Sequence, residues 1–349
     1  MKKLMCLFGV IGGLVFMSLT SGQIQAADAN AEVQYSVNKI NPGQEVDASS
    51  PFFDLKAKAG TTRQIQARIY NPTDKEITVK TRLLTTFTND SGQIAYTQTA
   101  KRYDPSLKYR FDQIASLARG SDKVTVPAKS NRVVTATINI PKNFDNGVIL
   151  GSWYFEKTGQ GTNTATKGVN INQKYSYALA VKLTAKEIAQ PKLTLGKVTP
   201  GLRNYRKVVL ATIRNPEPAV VSELKLTTKI TKKGSTKVHY QNKSDHLIMA
   251  PNSSFTYPTF LDDQKMRAGD YTLTVTATTT DSKWSKKTWR WTRDFTITSE
   301  QARQNNQKAK NDPAAPISIW WYLLIVVVIA GLSAGIVYFI MKRHHHDAS

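Results

Sequence analysis

Cysteine is all but missing from this 349-residue chain: Cys6 is the only one, and it lies inside the first apolar stretch. It also sits too early to be a lipid-modified cysteine at the end of such a stretch. Disulfide scaffolds, thiolate metal sites and cysteine nucleophiles are thereby excluded from the rest of the chain. An exported chain without disulfides is held together by its cores alone, so its domains should be fairly large. Histidine is scarce too, with five residues of which three are His344–His346. Only His239 and His246 fall in the body of the chain, and neither has a metal-ligand spacing, so no metal and no cofactor is expected. Neither a Gly-x-Ser-x-Gly elbow nor a Gly-rich phosphate loop occurs. Acid is in deficit: 48 Lys and Arg stand against 25 Asp and Glu, a formal charge of +23.

What is present begins with an export signal over residues 1–26. Lys2 and Lys3 precede the apolar run from Leu4 to Val15, and small residues follow at Ala26 and Ala27. Near the other end, residues 317–341 carry no charge. As a helix of about 1.5 Å per residue they suffice to cross a hydrocarbon core of roughly 30 Å. Trp320, Trp321 and Tyr322 suit an outer aromatic belt, and Lys342 and Arg343 a cytoplasmic stop, leaving 342–349 as an inner tail. The expectation is a single-pass membrane protein with its N-terminal body outside. The basic excess is spread over that body, +8 in residues 28–189 and +11 in residues 190–299. Export argues against nucleic acid, which leaves anionic polymers, acidic glycans or an acidic protein as partners; the alternative is that the charge only keeps the chain soluble.

Between signal and anchor the pattern is β. Gln64–Tyr70 alternates apolar and polar residues and stops at Asn71-Pro72. Ile77–Phe87, Arg132–Ile140, Val148–Phe155 and Lys174–Leu183 follow, with Val148–Phe155 apolar enough for a central strand. Lys207–Arg214, Leu224–Thr231, Tyr271–Thr279 and a strand bearing Trp289, Trp291, Phe295 and Ile297 repeat the pattern. Ala67-Arg-Ile-Tyr-Asn-Pro72 parallels Ala211-Thr-Ile-Arg-Asn-Pro216, and later turns at Pro127 and Pro251 correspond. The fold expected is all-β: two immunoglobulin-like β-sandwich domains in tandem, over residues 33–160 and 161–298. The first has a short helical insertion, for which Asp104-Pro105 offers an N-terminus, Leu107, Phe111, Ile114 and Leu117 an apolar face, and Gly120 a stop. Residues 299–316 are polar and read as a stalk.

For chemistry the sequence offers little. Asp54, Asp90, Asp104, Asp112 and Asp145 are carboxylates of the kind that pair in glycoside hydrolysis, but turns and caps account for each. No catalytic residue is assigned, and binding is the expectation. The segment between Asn89 and Lys123 concentrates aromatic and basic groups, and the candidate contact residues are Asn89, Tyr96, Arg102, Tyr103, Lys108 and Tyr109. The alternative is that its tyrosines merely close the edge of the first sandwich. For Trp284, Trp289 and Trp291 core packing is the stronger expectation.

The ordered set Pro51-Phe-Phe-Asp-Leu-Lys56, Thr88-Asn-Asp-Ser-Gly-Gln-Ile-Ala-Tyr96, Asp104-Pro-Ser-Leu107, Asp145-Asn-Gly-Val-Ile-Leu-Gly151, Met249-Ala-Pro-Asn-Ser253, Arg267-Ala-Gly-Asp-Tyr271 and Trp289-Arg-Trp-Thr-Arg-Asp-Phe295 resembles the WxL-interacting protein family of Gram-positive bacteria over nearly the whole chain. The resemblance implies a non-catalytic surface protein, its first domain on peptidoglycan and its second on host ligands such as extracellular-matrix protein. It further implies WxL-domain surface proteins as partners, in a complex tethered to the membrane. Gly151-Ser-Trp-Tyr-Phe155 departs from the family, which tends to have a second Gly and a smaller residue before the aromatic. Two other functions remain open on the residues alone: a direct adhesin for acidic glycans or matrix proteins, and a wall-modifying enzyme.

Overall fold

A computed structural model describes residues 35–312 and 323–335, apart from 44, 159–163, 167–168, 172–174, 187, 189 and 263. The export signal therefore lies outside the described residues, as do 317–322 and 336–349. The part of the expected membrane span that is described, 323–335, is helical, with exposed apolar side chains from Leu323 to Leu332. No helix among the described residues is long and apolar enough to cross a membrane.

The first sandwich runs through β1 (Ser36–Ile40), β2 (Phe53–Lys56), β3 (Thr62–Asn71), β4 (Ile77–Thr85), β5 (Phe87–Thr88), β6 (Ile94–Ala95), α1 (Phe111–Ile114), β7 (Ala115–Leu117), β8 (Lys123–Val126), β9 (Ser130–Asn139), β10 (Val148–Thr158), β11 (Thr164–Thr166), β12 (Val169–Ile171) and β13 (Ser176–Thr184). One sheet has the order β1-β3-β9-β7 and the other β2-β13-β10-β4-β8. The second sandwich comprises β14 (Thr194–Arg203), β15 (Arg206–Asn215), β16 (Val221–Lys232), β17 (Val238–Met249), β18 (Ser253–Phe260), β19 (Gly269–Thr279) and β20 (Lys287–Ile297), followed by α2 (Ser299–Lys308). Its sheets are β14-β15-β18 and β17-β16-β19-β20. The period-two alternation in β3 puts Ile65, Ala67 and Ile69 inside, all fully buried, while Gln64, Gln66, Arg68 and Tyr70 face out.

The two Asn-Pro landmarks do the same work in both domains. Asn71 is fully buried and donates through Nδ2 to the carbonyls of Lys75, Val126 and Pro127. Asn215, equally buried, donates to those of Ala219 and Ala250. Each asparagine thus ties the end of one strand to the turn that leads into its hydrogen-bonded neighbour, β9 or β18. A buried amide can satisfy that many carbonyls only at a fixed geometry, which explains why the motif recurs.

Past the expected boundary at 160/161, β13 pairs with β10 along its length and with β2 in parallel, so it closes a first-domain sheet. Two expectations need correction. The helix expected after Asp104 shrinks to one turn, because Ala115–Leu117 hydrogen-bonds to the β9 edge and the sheet outcompetes further helix. Phe111 anchors that turn, fully buried over Gly151. The polar stalk is folded: α2 starts with a capping box in which Thr298 and Gln301 satisfy each other's backbone N–H. Ala302 is buried in the second core, Asn306 exchanges hydrogen bonds with the Met266 backbone, and Asp312 pairs with the buried Lys207 at 2.9 Å.

A Cβ added at Gly151 would lie 2.0 Å from Cγ of Phe111. Gly151→Ala is therefore expected to unseat the insertion and cost about 1–3 kcal/mol or more, checked by urea unfolding beside proteolysis of the 96–120 segment.

Candidate functional site

The segment leaving β4 does not close the first sandwich on itself; it crosses to the second. The hairpin β5–β6 turns at Asn89–Gly92, where the Asn89 side chain accepts from the N–H groups of Ser91 and Gln93 at 2.9 and 3.1 Å. Its tip lodges against β17 and β18. Ile248 N–H donates to the Gly92 carbonyl at 2.9 Å, Ala250 N–H to the Thr88 hydroxyl at 3.0 Å, and Thr88 and Ser253 share a buried hydrogen bond. A few residues on, Asp104 receives both Nε and Nη2 of Arg214, at 2.9 and 2.8 Å, and the N–H and hydroxyl of Ser106. Burial pushes the Asp104 carboxyl up, but the bonds from Arg214, Ser106 and Ser254 outweigh it and hold it far below the usual carboxylate range. On the opposite flank Val148 N–H donates to the Pro218 carbonyl at 2.7 Å. Gly147, at φ +88°, approaches Pro218 so closely that a Cβ would sit 2.5 Å from it.

Between these ties lies a cleft of about 390 Å³. Lys108, Tyr109, Phe144 and Asn146 line it from the first domain, and Glu217, Pro218 and Asn252 from the second. Tyr109 meets Phe144 edge-on at 6.1 Å and donates to the Asn143 carbonyl at 3.3 Å, so an aromatic wall is fixed before any partner arrives. A second groove, of about 460 Å³, holds Arg102 and Tyr103 beside Asp90 and the Asp104–Arg214 pair.

The six candidate residues accordingly separate. Lys108 and Tyr109 share the first cleft, Arg102 and Tyr103 the second groove. Tyr103 is half-buried, with the Arg110 guanidinium 4.7 Å above its ring. Asn89 is spent on its own turn. Tyr96 is half-buried, its hydroxyl raised by burial and its carbonyl taken by Ser152. Ser152 is the extra polar group at the family departure, and Trp153 beside it is fully buried, donating to Thr81 at 3.0 Å. Of the carboxylates, Asp54, Asp90, Asp104 and Asp112 each face a base: Lys182, Arg203, Arg214 and Arg110. Asp145 lines the first cleft. Among the described residues no group of three or more His, Cys, Asp or Glu could hold a metal ion. Trp289 and Trp291 pack against the second core. The second-domain wall of the cleft is not legible in the sequence; Asn252, part of the turn at Pro251, stands at φ +47° and donates to the Pro216 carbonyl.

Residues 35–157 match the family described as WxL Interacting Protein, peptidoglycan binding domain, and residues 166–307 match WxL Interacting Protein, host binding domain. The chain belongs to the WxL Interacting Protein family. Both matched families are binding domains, and together they give the chain a cell-surface binding role. The family boundary runs ahead of β13, although that strand hydrogen-bonds into the first sandwich. Among solved structures, the class 5 fimbriae chaperone CfaA is 14% identical and aligns over 68% of this chain and 94% of its own, at a TM-score of 0.30. The E. coli chaperone DraB is 12% identical over 69% and 91%, at 0.25, and a PapD-like domain of human CEP192 is 10% identical over 45% and 88%, at 0.26. Likenesses this loose carry no argument. Comparison with curated proteins found no match.

The Asp104–Arg214 pair sets a pH dependence. A carboxyl depressed in the folded state adds stability that is whole above its unfolded value of about 4 and is lost as pH falls below it. Wild-type protein should lose stability below about pH 4 more steeply than Asp104→Asn. At neutral pH that variant should lose about 1–3 kcal/mol. Urea midpoints from pH 2.5 to 7 check both.

Proposed function

We propose that this chain is a non-catalytic scaffold that holds WxL-domain proteins at the wall, its first domain on peptidoglycan and its second on a host ligand. The observation that carries the reading is the cleft between the two binding domains. A scaffold that presents partners needs its modules fixed relative to each other, and the lodged hairpin, the bidentate Asp104–Arg214 pair and the Val148–Pro218 bond supply that. The cleft is the site we assign to the WxL partner: Tyr109, Phe144 and Pro218 offer apolar area, while Lys108, Glu217 and Asn252 fix orientation. Arg102 and Tyr103 extend the contact along the second groove. Residues 317–341 serve as the membrane tether, with the expected export signal delivering the body outside. Since the chain is folded up to Asp312, only 313–316 would separate domain from span. Four residues reach about 14 Å at most, which supports work at the membrane face and in the inner wall.

A direct adhesin for polyanions remains as the second reading, on one observation. The outer face of β17-β16-β19-β20 is rich in hydroxyl and cation: Thr272, Thr274, Thr276 and Thr278 lie on β19, with Lys225, Lys229 and Arg290 on the flanking strands, while Asp245 pairs with Lys225 and Asp294 faces Thr272.

Pull-down of a WxL-domain protein by the full chain in detergent separates the two. Tyr109→Ala should weaken capture about tenfold, measured well below its thermal midpoint, which loss of the Phe144 contact should lower. Unweakened capture would remove the cleft from the reading, and no capture at all would remove the scaffold. A Lys229→Gln, Arg290→Gln double variant should leave capture unchanged, whereas binding to a sulfated glycan that collapses between low and physiological salt and is lost in this variant would favour the adhesin.

A further inference from the structure

The outward side of the β1-β3-β9-β7 sheet has a composition unlike the rest of this basic chain. Every second residue of β3 points out, giving Gln64, Gln66, Arg68 and Tyr70. The strand register sets Asn38 of β1 beside Arg68, and Asn131 of β9 beside Tyr70. Neighbouring strands lie about 4.8 Å apart and alternate residues about 7 Å, so these side chains tile a flat field some 20 Å long. Tyr70 is 42% exposed, with Val133 exposed diagonally beside it. Arg68 is the one charged side chain among these outward positions, on a chain of formal charge +23, and no acid falls there.

This is the chemistry of a neutral sugar surface. An exposed aromatic ring offers a flat apolar face to the C–H side of a pyranose. Planar amides donate and accept at once, as hydroxyl and N-acetyl groups require, whereas a cationic face would select for charge. Of the amides, Gln66 makes a 3.3 Å bond to Thr135; Asn38, Gln64 and Asn131 have no side-chain hydrogen bond among the described residues. Arg68 would meet the carboxylates that hang from a peptide-bearing glycan. We infer that this sheet face is the surface on which the first domain holds peptidoglycan, taking its N-acetylated glycan strand along β3 with Tyr70 as the stacking platform. The inference rests on the peptidoglycan-binding reading of the domain and adds to it the face, the polymer component and the orientation.

The test is co-sedimentation of the detergent-solubilised full chain with peptidoglycan stripped of anionic polymers, in about 0.15 M salt to screen the basic excess. Tyr70→Ala and the double variant Gln66→Ala, Asn38→Ala should each bind about tenfold more weakly. Tyr70→Phe, which keeps the ring, should bind within about twofold of wild type. Soluble N-acetylated oligosaccharide should compete. The substituted side chains lie on the surface, so unchanged thermal midpoints establish that the fold is kept. Wild-type sedimentation by Tyr70→Ala and by the amide variant overturns the assignment while leaving peptidoglycan binding standing. Failure of the unmodified chain to sediment overturns the domain reading itself. Concentration-dependent self-association that disappears in Tyr70→Ala, with sedimentation intact, overturns the assignment in favour of a second copy of the chain.

Discussion

The docking of the two sandwiches turns on one buried carboxylate. Asp104 sits on the excursion of the first sandwich, yet its charge is satisfied by Arg214 on β15 of the second. Left unpaired there it would cost several kcal/mol, so the excursion is stable only against the partner domain. That requirement turns two sandwiches on one chain into a body with a cleft. The hairpin tip at Thr88–Gly92 supplies the directional hydrogen bonds and the close approach of Gly147 to Pro218 supplies the fit. Ion pair, backbone bonds and packing all act on the same interface, and none of them belongs to either core.

The excursion also explains what the sequence could and could not reveal. Strands such as β3 and β19 were legible because alternation reports directly which face is buried, and the Asn-Pro landmarks were legible because both asparagines do the same job. Even their difference is instructive. Asn71 has its carbonyl oxygen filled by Thr73, whereas Asn215 has Glu217 at the matching position and its Oδ1 lacks a protein partner. The insertion was misread for a physical reason. Leu107, Phe111, Ile114 and Leu117 have helical spacing, but Phe111 is claimed by the space over Gly151 and Leu117 by the β9 edge. Local periodicity lost to tertiary pairing. The reach of β13 across the expected boundary was equally hidden, since it joins β10 through backbone bonds that no residue type announces.

Two misses had signals that went unused. Thr298-Ser-Glu-Gln301 is a capping-box pattern, and the polar helix it starts is held by Ala302 and by the side chains of Asn306 and Asp312 rather than by an apolar stripe. Among the candidate contact residues, residue type alone did not separate those that line a cleft, Lys108 and Tyr109, from Asn89, held in its own turn, and Tyr96, half-buried with its carbonyl bonded to Ser152. Side-chain direction was the missing quantity; for Asn89 it is set by its turn, where the amide oxygen is committed to Ser91 and Gln93.

With the domains fixed, the surfaces differ in chemistry. The outer face of β1-β3-β9-β7 is an amide field with one aromatic ring and one charge. The outer face of β17-β16-β19-β20 is mainly hydroxyl and cation, with Asp245 and Asp294 interspersed, and the cleft between the sandwiches is aromatic and proline-walled. A neutral polymer, a polyanion and a protein segment make different demands: stacking area with two-way hydrogen bonding, fixed positive charge, and a concave apolar wall. Because each surface meets one demand and lies apart from the others in the strand order, engagement of one need not displace another. That separability is built on the Asp104–Arg214 pair, and it follows from the docking of the domains rather than from any single residue.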